Sequence, residues 1–271
     1  MLDFIDSITS YPFLQNAVLA SLLASIICGI IGTFVVIKKI SHISGSIAHT
    51  VLGGIGIAYF LGINPILGAY LFAILAAIII ALIKLKSNQH EDTIISALWA
   101  VGMAIGVIFM FLTPGYNIDL LNYLFGNILL VSSLDIRNLV ILTILIFFFV
   151  LFFYRLFIAV CFDEEHSRLR GLPVDLVYVL LLVLIALTVV VLIRVIGLIL
   201  VIALLALPAA IASLFVKTPF KIMLAACGLS IIFTLSGLVI SYGPNLPSGP
   251  MIILISGSAY LLAISLRKIF S

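Results

Sequence analysis

"FDEEHSRLRGLPVD", residues Phe162 to Asp175, is the one crowded run of charge in a chain that is oily for dozens of residues on either side. It reads as a short helix with both ends specified. Asp163 is the N-cap, and Glu164 and Glu165 stand in the first turn, where the helix dipole favours anions. His166 follows, Arg168 and Arg170 occupy the last turn, where the dipole favours cations, Gly171 closes the helix and Pro173 prevents its continuation. The flanking apolar runs, Leu134 to Val160 and Val174 to Ile193, are each long enough for a bilayer core that takes about 20 residues per helix. The chain therefore leaves a membrane, makes two turns of polar helix in water, and goes back in.

The composition agrees. Apolar residues make up 65% and charged residues 8% of the 271 positions, with mean hydropathy +1.46. A soluble domain carries about 25% charge. Long apolar runs give nine candidate spans: residues 12–37, 47–63, 65–83, 93–112, 134–160, 174–193, 195–216, 220–241 and 246–264. The second is short and the sixth and seventh are nearly fused, so eight crossings plus a re-entrant piece is the alternative count. The expected fold is all-α, a polytopic transmembrane helix bundle in which residues 1–271 form a single permease domain with a cytoplasmic helix at 163–171. Asp3 and Asp6 stand where a cleaved signal would need basic residues, so the first span is expected to stay.

Orientation follows from the thirteen basic residues. With the N-terminus outside, eleven fall at cytoplasmic ends or loops and only Arg137 and Arg194 fall outside. The C-terminus is then cytoplasmic, and the Gly-, Pro- and Asn-rich segments Thr113 to Asn127 and Tyr242 to Pro250 face outward, as a docking surface for something external. The scattered Lys and Arg form no dense block, which excludes nucleic acid as a partner. Cys28, Cys161 and Cys227 lie far apart in or beside apolar runs and read as packing residues. Close helix approach is expected at Gly102 and Gly106, at Gly53 to Ala58, and at Leu204 to Ser213.

No GxxxxGK occurs, so the chain cradles no nucleotide in the Walker manner, and energy must come from a partner or an ion gradient. A gradient-coupled secondary transporter usually carries acidic groups inside its spans, yet all ten carboxylates lie at span ends or in loops. An intramembrane enzyme is disfavoured too. His90-Glu91 lacks the second His of HExxH, and GxSxG is absent. A passive channel or scaffold would leave the capped polar helix unexplained.

Taken in order along the chain, six stretches resemble the membrane permeases of ATP-binding-cassette importers for zinc, manganese and iron. They are "FLQNAVLASLLASIICGIIGTFVVIKKIS" (Phe13 to Ser41), "IAHTVLGGIGIAYFLG" (Ile47 to Gly62), "LLNYLFGNIL" (Leu120 to Leu129), "DEEHSRLRGLP" (Asp163 to Pro173), "GLILVIALLALPAAIAS" (Gly197 to Ser213) and "LPSGPMIIL" (Leu246 to Leu254). The resemblance implies a type II importer-like permease in a prokaryotic inner membrane. It further implies a second copy of this chain around one pathway, an ATPase subunit on each cytoplasmic face and an external metal-binding protein. On the same resemblance, lipid is expected around the assembly, and the chain itself is expected to have no permanently bound cofactor and no enzymatic activity. On this resemblance Asp163, Glu164, Glu165, His166, Arg168, Arg170 and Gly171 form the coupling helix that an ATPase grips.

A transition metal needs nitrogen, sulfur or carboxylate donors, and of four histidines only His49 lies within an expected span. The family's usual pattern places an Asp four residues before this His. Here that position is Gly45, between Ser44 and Ser46. One imidazole per chain, or two facing across a dimer axis, is what remains, and imidazole without carboxylate favours zinc over manganese, while imidazole serves iron too.

Overall fold

The computed structural model describes residues 11–86, 91–114, 120–126, 128–244 and 246–270. All regular structure among them is helical. In chain order the helices are α1 (Pro12–Ile37), α2 (Ser41–Phe60), α3 (Pro65–Lys86), α4 (Glu91–Leu112), α5 (Leu120–Phe125), α6 (Ser133–Phe162), α7 (Glu164–Leu169), α8 (Val174–Ile196), α9 (Leu198–Phe215), α10 (Pro219–Tyr242) and α11 (Ser248–Phe270), with a single 3₁₀ turn at Ile128–Leu130. Among the described residues nine of these, all but α5 and α7, are long and apolar enough to cross a membrane. This is the larger of the two expected counts.

The chain groups into two units, one built from residues 1–37, 121–152 and 191–271, the other from 38–120 and 153–190. In the first, α1 packs against α9 and α10, and small side chains set the spacing. A Cβ on Gly29 would stand 2.6 Å from the Cys227 backbone nitrogen, and one on Gly32 would run into the Leu205 carbonyl. Ala209, Ala212, Ile222 and Ala226 form a tight buried cluster between α9 and α10. The Ser25 and Thr234 hydroxyls bond across α1 and α10 at 3.0 Å. Close backbone approach and short interhelical hydrogen bonds are how helices associate in lipid, where burial of apolar surface gives little drive.

In the second unit α2 lies between α3 and α4. The expected glycine packing is present: a Cβ on Gly53 would stand 2.9 Å from the Gly102 carbonyl oxygen, and one on Gly102 would stand 2.6 Å from Thr50 Cα. Two side chains of α2 reach across to carbonyls of α4, Ser46 Oγ donating to Ile95 at 2.8 Å and Thr50 Oγ1 to Leu98 at 3.2 Å. These cross-links explain why α2 begins at Ser41, six residues before the expected start at Ile47. Its first turns are rich in Ser, His and Gly and score poorly for hydropathy, yet from Ile43 onward they are buried, with the Ser44 and Ser46 hydroxyls donating to the Ser41 and Ile95 carbonyls, while His42 stays exposed.

The division between the sixth and seventh spans also falls elsewhere than expected. Hydropathy marks Arg194, but α8 continues to Ile196 and breaks at Gly197, whose φ of 80° and ψ of 160° suit glycine alone. A Cβ there would collide with the backbone of Phe125 and Gly126. Arg194 instead remains in the last turn of α8 and pairs with Asp135 at 2.9 Å. Asp135, buried in the first turn of α6, also accepts from the Ser132 backbone N–H at 3.2 Å. The Leu120–Phe125 helix is a further departure, since Gly- and Asn-rich surroundings read as loop.

Candidate functional site

The polar helix follows its sequence at the start, but it ends at Leu169, so Arg170 stands at the C-cap and His166 joins Arg168 in the last turn. The Asp163 carboxylate accepts from the His166 backbone N–H at 2.9 Å, satisfying one of the donors a helix start leaves open. At the other end Gly171 takes φ 74°, donating its N–H to Arg168 O, so the chain turns into α8 within a few residues. Glu165, His166, Arg168, Arg170 and Gly171 are exposed, while Glu164 is half-buried and Ser167 is buried, which fixes the inner face of α7. Arg168 pairs with Asp175 in the first turn of α8, so its charge holds the turn. Leu169, absent from the sequence-based set, is 83% exposed on this otherwise polar helix. An isolated leucine presented this way gives α7 an apolar contact beside its charges.

Glu164 is where α7 meets its supports. Its Oε1 lies 2.5 Å from Lys38 Nζ, just beyond α1, and 3.3 Å from Lys84 Nζ in the last turn of α3. Each lysine is held independently as well. Lys38 donates to the Val160 carbonyl near the end of α6 at 3.2 Å, and the Lys84 ammonium sits 4.2 Å from the centre of the Tyr178 ring on α8. Partial burial disfavours the charged carboxylate, but the two ammonium groups outweigh it and hold the Glu164 pKa below the usual glutamate value. One carboxylate thus joins the start of α7 to groups from four other segments. Sequence reading assigned Glu164 to the dipole and missed both lysines, whose pairing depends on tertiary structure.

The second constellation surrounds His49. The residue is 8% exposed in the third turn of α2, and its Nδ1 is buried with no hydrogen-bond partner among the described residues. Trp99 of α4 lies flat against it, with ring centroids 4.4 Å apart and planes inclined by 15°. Gly45 is buried one turn earlier on the same face, where no carboxylate is available. His42 pairs with Asp92 at 3.3 Å in an exposed position, and His90 lies outside the described residues. Among the described residues no three His, Cys, Asp or Glu side chains gather as a metal site. Among the described residues His49 is the one buried imidazole.

Comparison with known proteins agrees with the architecture. The family model described as ABC 3 transport family matches residues 10–267. The "Probable metal transport system membrane protein" of Chlamydia trachomatis serovar D is 41% identical, over 96% of this chain and 91% of that protein. The "Manganese import system permease protein ScaB" of Streptococcus parasanguinis is 32% identical, over 96% of this chain and 93% of that protein. Among solved structures, "PsaBC from Streptococcus pneumoniae in complex with Fab" contains a chain that superposes with a TM-score of 0.87 at 31% identity, covering 97% of this chain and 94% of that one. With nine span-length helices among the described residues, a capped polar helix between two of them and similarity along nearly the whole sequence, this chain belongs to the ABC 3 transport family, as a membrane component of such a transport system.

Proposed function

We propose that this chain is the permease of an ATP-driven importer of divalent transition metal ions, with zinc favoured as cargo. The observation that carries the proposal is His49, a buried imidazole in a helix long and apolar enough to span a membrane, with Nδ1 unpartnered among the described residues. A buried polar nitrogen without a partner costs stability, and intramembrane ionisable groups are rare enough to mark transport pathways. Imidazole without carboxylate matches zinc better than the harder manganese ion. The names of relatives such as the S. parasanguinis permease favour manganese as the second reading.

Because one chain supplies a lone imidazole, two copies sharing one pathway would bring two His49 side chains toward a common ion. The N-terminus is outside and the C-terminus cytoplasmic, as the distribution of Lys and Arg requires, and α7 then faces the cytoplasm. There a separate ATPase subunit grips its exposed face, and Asp163 to Gly171 transmit the motion of ATP-driven closure. An external metal-binding protein delivers cargo to the opposite face. A secondary transporter is the poorer alternative, since Asp135, the buried carboxylate in the first turn of α6, is already neutralised by Arg194.

The test is uptake of zinc, manganese and iron by proteoliposomes holding the permease with its ATPase and delivery protein. His49→Ala is expected to abolish uptake while the complex still assembles. Unchanged uptake by that variant would remove His49 from the pathway, and a preference for manganese would overturn the choice of zinc.

A further inference from the structure

The proposed role of His49 leaves open what holds its ring. A metal-binding imidazole normally donates a hydrogen bond from its other nitrogen to a carboxylate, carbonyl or water, which fixes ring orientation. Here Nδ1 is buried without such a partner among the described residues. What lies against the ring is the indole of Trp99, parallel to within 15° and 4.4 Å away between centroids.

The placement of that indole is itself rigidly specified. Ser46 and Thr50, three residues before and one after His49, bond to the carbonyls of Ile95 and Leu98, four residues before and one before Trp99. One turn further along, Gly102 meets Thr50 so closely that no side chain fits between the helices. α2 can neither slide nor rotate on α4 without breaking these contacts, so Trp99 has a fixed register against His49.

Geometry separates holding from blocking. A metal approaches imidazole in the ring plane, along a nitrogen lone pair, whereas a stacked ring covers only a π face. Trp99 can therefore restrict His49 to one ring orientation without itself covering an in-plane lone pair.

We propose that Trp99 is the positioning residue for His49, its flat aromatic face replacing the hydrogen bond that usually orients a metal-binding histidine. This rests on the assignment of His49 to the metal pathway. Loss of an orienting partner typically weakens a metal site about 10- to 100-fold. Trp99→Leu, which removes the flat face, is expected to raise the KM for zinc uptake by that factor. Trp99→Phe, which keeps a flat face, should stay within about threefold of the parent. Trp99 is also the sole tryptophan of the chain, so zinc chloride added to the full-length permease in detergent should change its emission, and His49→Ala should abolish that change.

The two ideas fail separately. If His49→Ala is inactive but Trp99→Leu transports with the parental KM, Trp99 has no positioning role and the His49 assignment survives. Equal loss in the Phe and Leu variants, or an emission that ignores zinc while uptake remains dependent on His49, also overturns the positioning role. Full uptake by His49→Ala removes the pathway assignment itself.

Discussion

Breaking the Glu164 junction should expose a pairwise energy that an ordinary surface salt bridge lacks. At 2.5 Å and an effective dielectric of about 20, the gross attraction between Glu164 and Lys38 is roughly 5 to 7 kcal/mol. Desolvation opposes it, because the Lys38 side chain is only 11% exposed and burying a charge costs several kcal/mol. Glu164, at 30% exposure, keeps some solvent screening, so a net coupling of about 1 to 3 kcal/mol is expected, above the ~0.2 to 1 kcal/mol of an exposed pair. The assay is a double-mutant cycle of Lys38→Met and Glu164→Gln, read as unfolding of the full chain in mixed detergent micelles. Glu164→Gln leaves Lys38 without a counter-charge and Lys38→Met leaves Glu164 with Lys84 alone, so the double variant should lose less than the sum of the singles. The sign of the pH dependence follows from the lowered pKa of Glu164. Its contribution is complete above the pKa of the unfolded glutamate and is lost as pH falls through the lower folded-state value. Single-variant costs that add to within about 0.5 kcal/mol at neutral pH would refute the coupling.

Other sites give independent checks. Gly102→Leu should cost about 3 kcal/mol or more and prevent α2 and α4 from closing, because even its Cβ would stand 2.6 Å from Thr50 Cα; reduced folded yield and a lower Tm would show it. Asp135→Asn should lower stability by roughly 1 to 2 kcal/mol in the same micelle assay, since it removes the charge facing Arg194. Cys28 and Cys161 are buried, so a thiol reagent should modify them slowly in the native protein and rapidly after denaturation.

Legibility in the sequence tracked how local each determinant is. The α7 helix was readable because its cap, its first-turn acids and its closing glycine act over a few residues, and the structure reproduces them from Asp163 to Gly171. The spans were readable from length and hydropathy, but the break at Gly197 was not, because a hydropathy profile registers Arg194 and is blind to a positive φ. The early start of α2 was hidden for a related reason. Ser46 counts as polar until Ile95 supplies its partner. His49 stood out through the rarity of an imidazole in an apolar run. Trp99, Lys38 and Lys84 could not, since each acquires its role from a helix remote in sequence.

The most direct test of the proposed mechanism is zinc uptake into proteoliposomes bearing the permease, its ATPase and the delivery protein, measured with ATP and with a non-hydrolysable analogue, for the parent chain and for Leu169→Glu. Uptake should require hydrolysis and should fail in the variant, whose added charge spoils the exposed apolar contact of α7 while leaving the Glu164 junction in place. Equal uptake with the analogue, or undiminished ATP-driven uptake by Leu169→Glu, would contradict a transport cycle driven through that helix.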